Sequence, residues 1–187
     1  MIKKISMLAV AAAAVSLALT GCVKAPATFV SPNLVGTWDF KPRPVVAVIE
    51  KSEGASRKVT VTVDTTQAPI ADQSLAAVTQ VVVSGTLTED AEEMTFTLTS
   101  DAVMVGVSPT VAPQYRPAVK TVAEQTIATM IDMAIKATGG AVMIDLNVDA
   151  NPDTLTVHGS FIEALLNALG VPPSPLGLMA TRDVSAP

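Results

Sequence analysis

A mainly β domain with two helices, in the α+β sense, is what this sequence predicts. Its antiparallel strands close into a barrel or bend into a strongly curved sheet. Three observations carry that expectation. Apolar and threonine-rich positions alternate through most of the chain after residue 35. Two stretches, 117–138 and 160–169, replace the alternation with three-and-four apolar spacing. Charged residues make up only 16% of the 187 residues while hydrophobic ones make up 49%, and the abundance of Val and Thr is that of a β-rich folded chain rather than a disordered one.

The strands follow in order. Residues 35–40 form the first candidate, ended by Lys41-Pro42-Arg43-Pro44, and 45–50 the second. In 58–65, Val59, Val61 and Val63 share one face, with Thr60, Thr62 and Asp64 opposite. Residues 79–88 put Val81, Val83 and Leu87 on one side. An acidic turn at Glu89 to Glu92 leads to a strand in which Met94, Phe96 and Leu98 face one way and Thr95, Thr97 and Thr99 the other. A period of two with one wet face is the mark of antiparallel pairing. Residues 103–107 continue or bend this strand, and 67–77 form a loop or a short helix. Later strands are expected at 141–148, 154–158 and 176–182, with a turn at Asn151-Pro152-Asp153. The total is eight or nine.

The longer helix carries Val119, Val122, Ile127, Met130, Ile131 and Ala134 on one face. Thr121 and Glu124 have capping-box spacing, Pro117 suits an earlier opening turn, and Gly139-Gly140 stops the helix. The shorter one opens on Ser160 and Glu163, buries Phe161, Ile162, Leu165, Leu166 and Leu169, and ends at Gly170 with Pro172-Pro173.

Ahead of the domain, Lys3 and Lys4 precede an apolar run from Ile5 to Ala18, which ends in Leu19-Thr20-Gly21-Cys22. A run of about 14 residues is short of the roughly 20 that a membrane-spanning helix needs, so it reads as a cleaved export signal. The tetrapeptide resembles the lipobox of bacterial lipoproteins. That resemblance implies diacylglycerol on the Cys22 thiol, cleavage just before it, palmitate-type acylation, and a cell-envelope location. Two acyl chains anchor stably where one does not. Val23, standing where an aspartate would retain the protein, implies by the same analogy the outer membrane, facing the periplasm, if the cell is Gram-negative. The expected organisation is a signal peptide at 1–21, a lipidated tether at 22–32 with two prolines, and a single domain at 33–187. Loss of Lys3 and Lys4 with the signal takes the formal charge from −5 to −7. Such an acidic chain is unsuited to nucleic acid.

Gly36-Thr37-Trp38 opens the first strand, and Trp38 is the single tryptophan. The motif resembles the Gly-x-Trp signature of lipocalins and the wider lipocalin-like β barrels, where the Trp plugs the closed end. Arg182, in Thr181-Arg182-Asp183 of the last strand, stands where that family has an Arg packed across the Trp. Gly36, Trp38 and Arg182 are therefore the expected structural signature. A Thr-Asp-x-x-Tyr-like element of lipocalins proper is missing, and the long helix precedes the last strands instead of only following them.

Catalysis has little to stand on. There is no Gly-x-Ser-x-Gly elbow, His158 is the one histidine, and strand parity sends it outward with Thr154 and Thr156. The run Asp145-x-Asn147-x-Asp149-x-Asn151-x-Asp153 has calcium-like spacing, but Ala150 and Thr156 stand where an EF-hand needs Gly and Glu. A strand's wet face and a turn account for it. Glu89, Asp90, Glu92 and Glu93 read as a solvated turn. Met94, Met130 and Met143 are candidates for lining an adaptable apolar pocket; an aromatic content of 3% argues against flat ligands or sugars. The expectation is a non-enzymatic, lipid-anchored envelope protein without cofactor or metal, holding an apolar small molecule in its barrel. The alternative is a structural or protein-interaction lipoprotein with a filled barrel, its partner another envelope protein.

Overall fold

The computed structural model describes residues 34–41, 43–50, 56–67, 75–90, 95–147, 150, 152–160 and 178–183. Cys22, Met94 and the expected second helix at 161–169 lie outside them. Eight strands run in sequence order around a closed antiparallel barrel: β1 (Gly36–Asp39), β2 (Val45–Glu50), β3 (Ser56–Asp64), β4 (Val78–Asp90), β5 (Thr95–Val107), β6 (Ala141–Asn147), β7 (Thr154–His158) and β8 (Leu178–Arg182). One helix, α1 (Arg116–Thr138), joins β5 to β6. Closure is made where β1 meets β8, with Trp38 opposite Arg182 and Asp39 opposite Thr181.

The alternation does the sorting. Val59, Val61 and Val63 point inward from β3, and Val81, Val83 and Leu87 from β4, while Lys58, Gln80, Thr97 and Thr99 lie exposed outside. A barrel that spans a membrane has the reverse arrangement, apolar outward. Among the described residues no helix is long and apolar enough to cross a membrane.

The walls are unequal. β4 and β5 have 13 residues each, β1 only four, and β7 and β8 five. β5 meets β6 at two pairs, Phe96 with Val142 and Thr97 with Ala141. Beyond them the edge of β5 faces α1, which runs back from the tip of that strand. Leu98 N–H donates to the Gly140 carbonyl (2.9 Å), and Val105 N–H to the Glu124 carboxylate (3.2 Å). The helix thus stands in for the missing strand ladder. Gly140 permits the join: its φ is +71°, and a Cβ there would come within 2.5 Å of the Leu98 carbonyl oxygen.

Residues 103–107 continue β5 through a bulge. Ser84 pairs with Ala102 and Gly85 with Ser100, leaving Asp101 as the extra residue. That one insertion reverses the parity, so Phe96 and Leu98 face inward before it and Val103 and Val105 after it. Thr86 pins the bulge by donating to the Asp101 carboxylate (3.2 Å).

Two expectations about α1 are corrected. Thr121 and Glu124 do not form a capping box. The helix begins six residues earlier than that box requires, with Tyr115 at its N-cap position and Pro117 in the first turn. Thr121 instead donates to the Pro117 carbonyl (3.0 Å), and Glu124 serves β5. Val122 is not on the buried face. Docking on β5 selects Ala123, Ile127, Ile131 and Ala134, and leaves Val122 61% exposed. Gly139, left-handed at φ +68°, ends the helix as expected.

Candidate functional site

Inside the barrel is a cavity of about 290 Å3. Its floor is Trp38. Val61, Val83 and Ile144 are among its strand walls, and Ile127, Met130 and Ile131 of α1 close the flank that lacks strand pairing. The hollow follows from side-chain size. Eight strands enclose a space just wide enough for side chains to fill or for one small ligand. At mid-height this chain offers mostly valines, with Ala47 and Gly85, and these are too short to meet at the centre. Gly85 is required by the bulge itself, since a Cβ there would lie 2.1 Å from the Thr99 carbonyl oxygen.

Below the cavity the barrel is filled. Trp38 is fully buried, and its Nε1–H donates to the Leu34 carbonyl (2.9 Å). Arg182 lies over the indole, its Cζ 4.5 Å from the ring centroid. The same guanidinium donates through Nη1 to the Val35 carbonyl (2.6 Å) and through Nε to Asp153 (2.8 Å). Gly36 makes room: a Cβ at that position would come 2.8 Å from Arg182 Nη1, and the φ of +148° disfavours any side chain. Gly36, Trp38 and Arg182 therefore form one packed unit, with an inward-facing Arg57–Glu89 ion pair (4.0 Å) in the neighbouring strands.

Of the methionine candidates, Met130 lines the cavity. Met143 does not: it is 44% exposed on the outer face of β6, because Val142 and Ile144 take the inward parity. His158, also outward, bonds Asp145 across β6 and β7 (2.9 Å), while Asp153 is engaged by Arg182. The two ends of the calcium-like run thus have separate partners. Among the described residues no three His, Cys, Asp or Glu side chains gather as a metal site.

One residue of the site was missed in the sequence. Arg43, read only as part of a strand-ending segment, lines the cavity. The signal available was an arginine framed by two prolines between apolar strands.

Comparisons of the chain with known families, characterised proteins and solved structures give no match.

Proposed function

We propose that this chain is a lipid-anchored cell-envelope protein, non-enzymatic, that holds an apolar small molecule inside a lipocalin-like barrel. The observation that carries the reading is the apolar hollow of about 290 Å3 above Trp38. It sits at the small end of ligand pockets, which run from about 300 to 1,000 Å3. It is also about twice the ~150 Å3 apolar void that stays dry and accepts benzene. A compact ligand fits; a bulky one does not. Support for lipocalin-like architecture comes from the sequential eight-strand meander and from the Gly36–Trp38–Arg182 unit where first and last strands meet. The Leu19-Thr20-Gly21-Cys22 motif supports the anchor.

Native mass spectrometry of the full protein, extracted from its own membranes in mild detergent, tests the ligand. A reproducible extra mass, released on denaturation, is expected. Bare protein that also refuses small apolar probes would favour the alternative, an interaction lipoprotein. For that alternative the outer face of α1, where Val122 and Met133 are 61% and 58% exposed, is the surface to examine. The anchor has its own test: Cys22→Ser should abolish incorporation of labelled palmitate, and continued labelling would rule the lipoprotein reading out.

A further inference from the structure

On the outer wall of the barrel, the single histidine of the chain lies on a strand flanked by two methionine-bearing neighbours. Strand register places the three side chains. His158 of β7 is directly opposite Met143 of β6, and Met179 of β8 is opposite Thr156, one diagonal step from His158. All three point away from the cavity, because Val142, Leu155 and Ala180 take the buried parity of the same strands. Directly opposed side chains on one face start about 4.5–5.5 Å apart and diagonal ones about 7–8 Å, within reach of side chains as long as Met. Met143 and Met179 are both exposed, so neither thioether is spent on core packing.

The histidine is already oriented. Its Nε2 lies 2.9 Å from the Asp145 carboxylate across the β6–β7 pair. An ionised carboxylate only accepts, so Nε2 carries the proton and Nδ1 keeps its lone pair. Among the described residues no hydrogen bond engages Nδ1. A ring tied to a carboxylate through one nitrogen and open at the other is the usual form of a metal-ligating histidine. Carboxylates and histidine alone do not gather here in threes; sulfur completes the set. One imidazole and two thioethers make a soft, uncharged donor group. Thioethers suit copper(I), whereas calcium and magnesium take oxygen.

We propose that Met143, His158 and Met179 bind one copper(I) ion on the outer face of β6, β7 and β8, with Asp145 as the residue that positions the imidazole. The site is separate from the cavity and depends neither on a ligand there nor on the lipid anchor. Pairing fixes the three strands, so rotation of the long methionine side chains is the only movement that assembly requires. The ion arrives as copper(I) and exchanges solvent for two Sδ atoms and Nδ1; no bond of the protein breaks and no electron is transferred.

The full-length protein in mild detergent is titrated with copper(I) without oxygen, in competition with a coloured copper(I) chelator. One equivalent should bind. Met143→Leu and Met179→Leu conserve volume and apolar character while removing the sulfur, and each should raise the dissociation constant by about tenfold or more. His158→Gln should do the same. Asp145→Asn removes no ligand but loosens the ring, and should weaken binding by about ten- to a hundredfold. Met104→Leu and Met133→Leu, at exposed methionines elsewhere on the surface, should leave the affinity unchanged. Silver(I), which mimics copper(I) without redox chemistry, gives a direct view. It should shift the methyl NMR signals of Met143 and Met179 and leave those of Met104 and Met133 in place. The site is overturned if wild type takes up no copper(I), if either Met143→Leu or Met179→Leu binds as tightly as wild type, or if silver(I) moves all four methyl signals alike.

Discussion

The two levels of the barrel interior are built from the same alternating strands yet end in opposite states. At the closed end Trp38, Phe96, Leu34 and Leu155 are the largest fully buried side chains, and Arg182 completes the packing with its polar atoms satisfied. At mid-height Val61, Val83, Ala47 and Gly85 surround empty space. Parity decides that a residue faces inward; volume decides whether facing inward makes a core or a container. Period-two patterning alone therefore cannot distinguish a filled barrel from a hollow one.

The sharpest way to break the contrast is Trp38→Ala, which would extend the void into the packed level. It should cost about 3–5 kcal/mol, measured by chemical denaturation. A loss below about 1 kcal/mol would mean that the closed end is not the stability centre. Arg182→Ala should cost about 1–3 kcal/mol, because the Val35 carbonyl and Asp153 lose their donor. The double mutant should cost less than the two singles together, with a cation–π share of about 0.5–2 kcal/mol in the coupling. Strict additivity would show that the stacked geometry contributes nothing.

The hollow level should answer in the opposite sense. Val83→Leu adds apolar volume where there is room. It should be neutral or stabilising by about 0.5–2 kcal/mol while weakening binding of any compact apolar probe. The same enlargement in a close-packed interior would cost about 1–3 kcal/mol, so the sign of the change reports which kind of interior surrounds residue 83.

The smallest effect concerns the rim. Asp64 accepts hydrogen bonds from the Thr66 hydroxyl and amide and from the Gln67 amide (2.6, 2.9 and 3.0 Å), and these hold its carboxyl below the usual range, led by the Thr66 hydroxyl. A depressed carboxylate stabilises the fold above its unfolded value of about 3.9, and that contribution fades as pH falls through the lower folded value. Asp64→Asn should therefore flatten the acid limb of the stability profile slightly, leaving ligand binding at neutral pH unchanged. An unaltered acid limb would assign the limb to other carboxylates.

Much of the barrel was legible because strand parity is local. The span of β7, the inward valines of β3 and the stop of α1 at Gly139 all followed from neighbouring residues. The juxtaposition of Trp38 and Arg182 came from resemblance, since no local rule joins residues so far apart in sequence. Features set by long-range docking were not readable. Val122 looks as apolar as Ile127, and only the position of β5 decides which is covered. Met143 was nominated by residue type against its own strand parity. Glu124 fits a capping box by spacing but is claimed by Val105 N–H. Arg43 escaped because only the folded β1–β2 hairpin brings it to the cavity.

The carboxylate of Glu124 on the edge of β5 also bears on self-association. Among the described residues the upper part of β5 has no strand partner on that side, and an open row of backbone donors is a template on which another chain can add a strand. Covering the row with α1 and placing a negative charge at Val105 N–H removes that opportunity: an incoming strand would have to displace the helix and strip a carboxylate of its partner. A barrel with so short a β5–β6 seam is thereby protected against growing into fibres from that side.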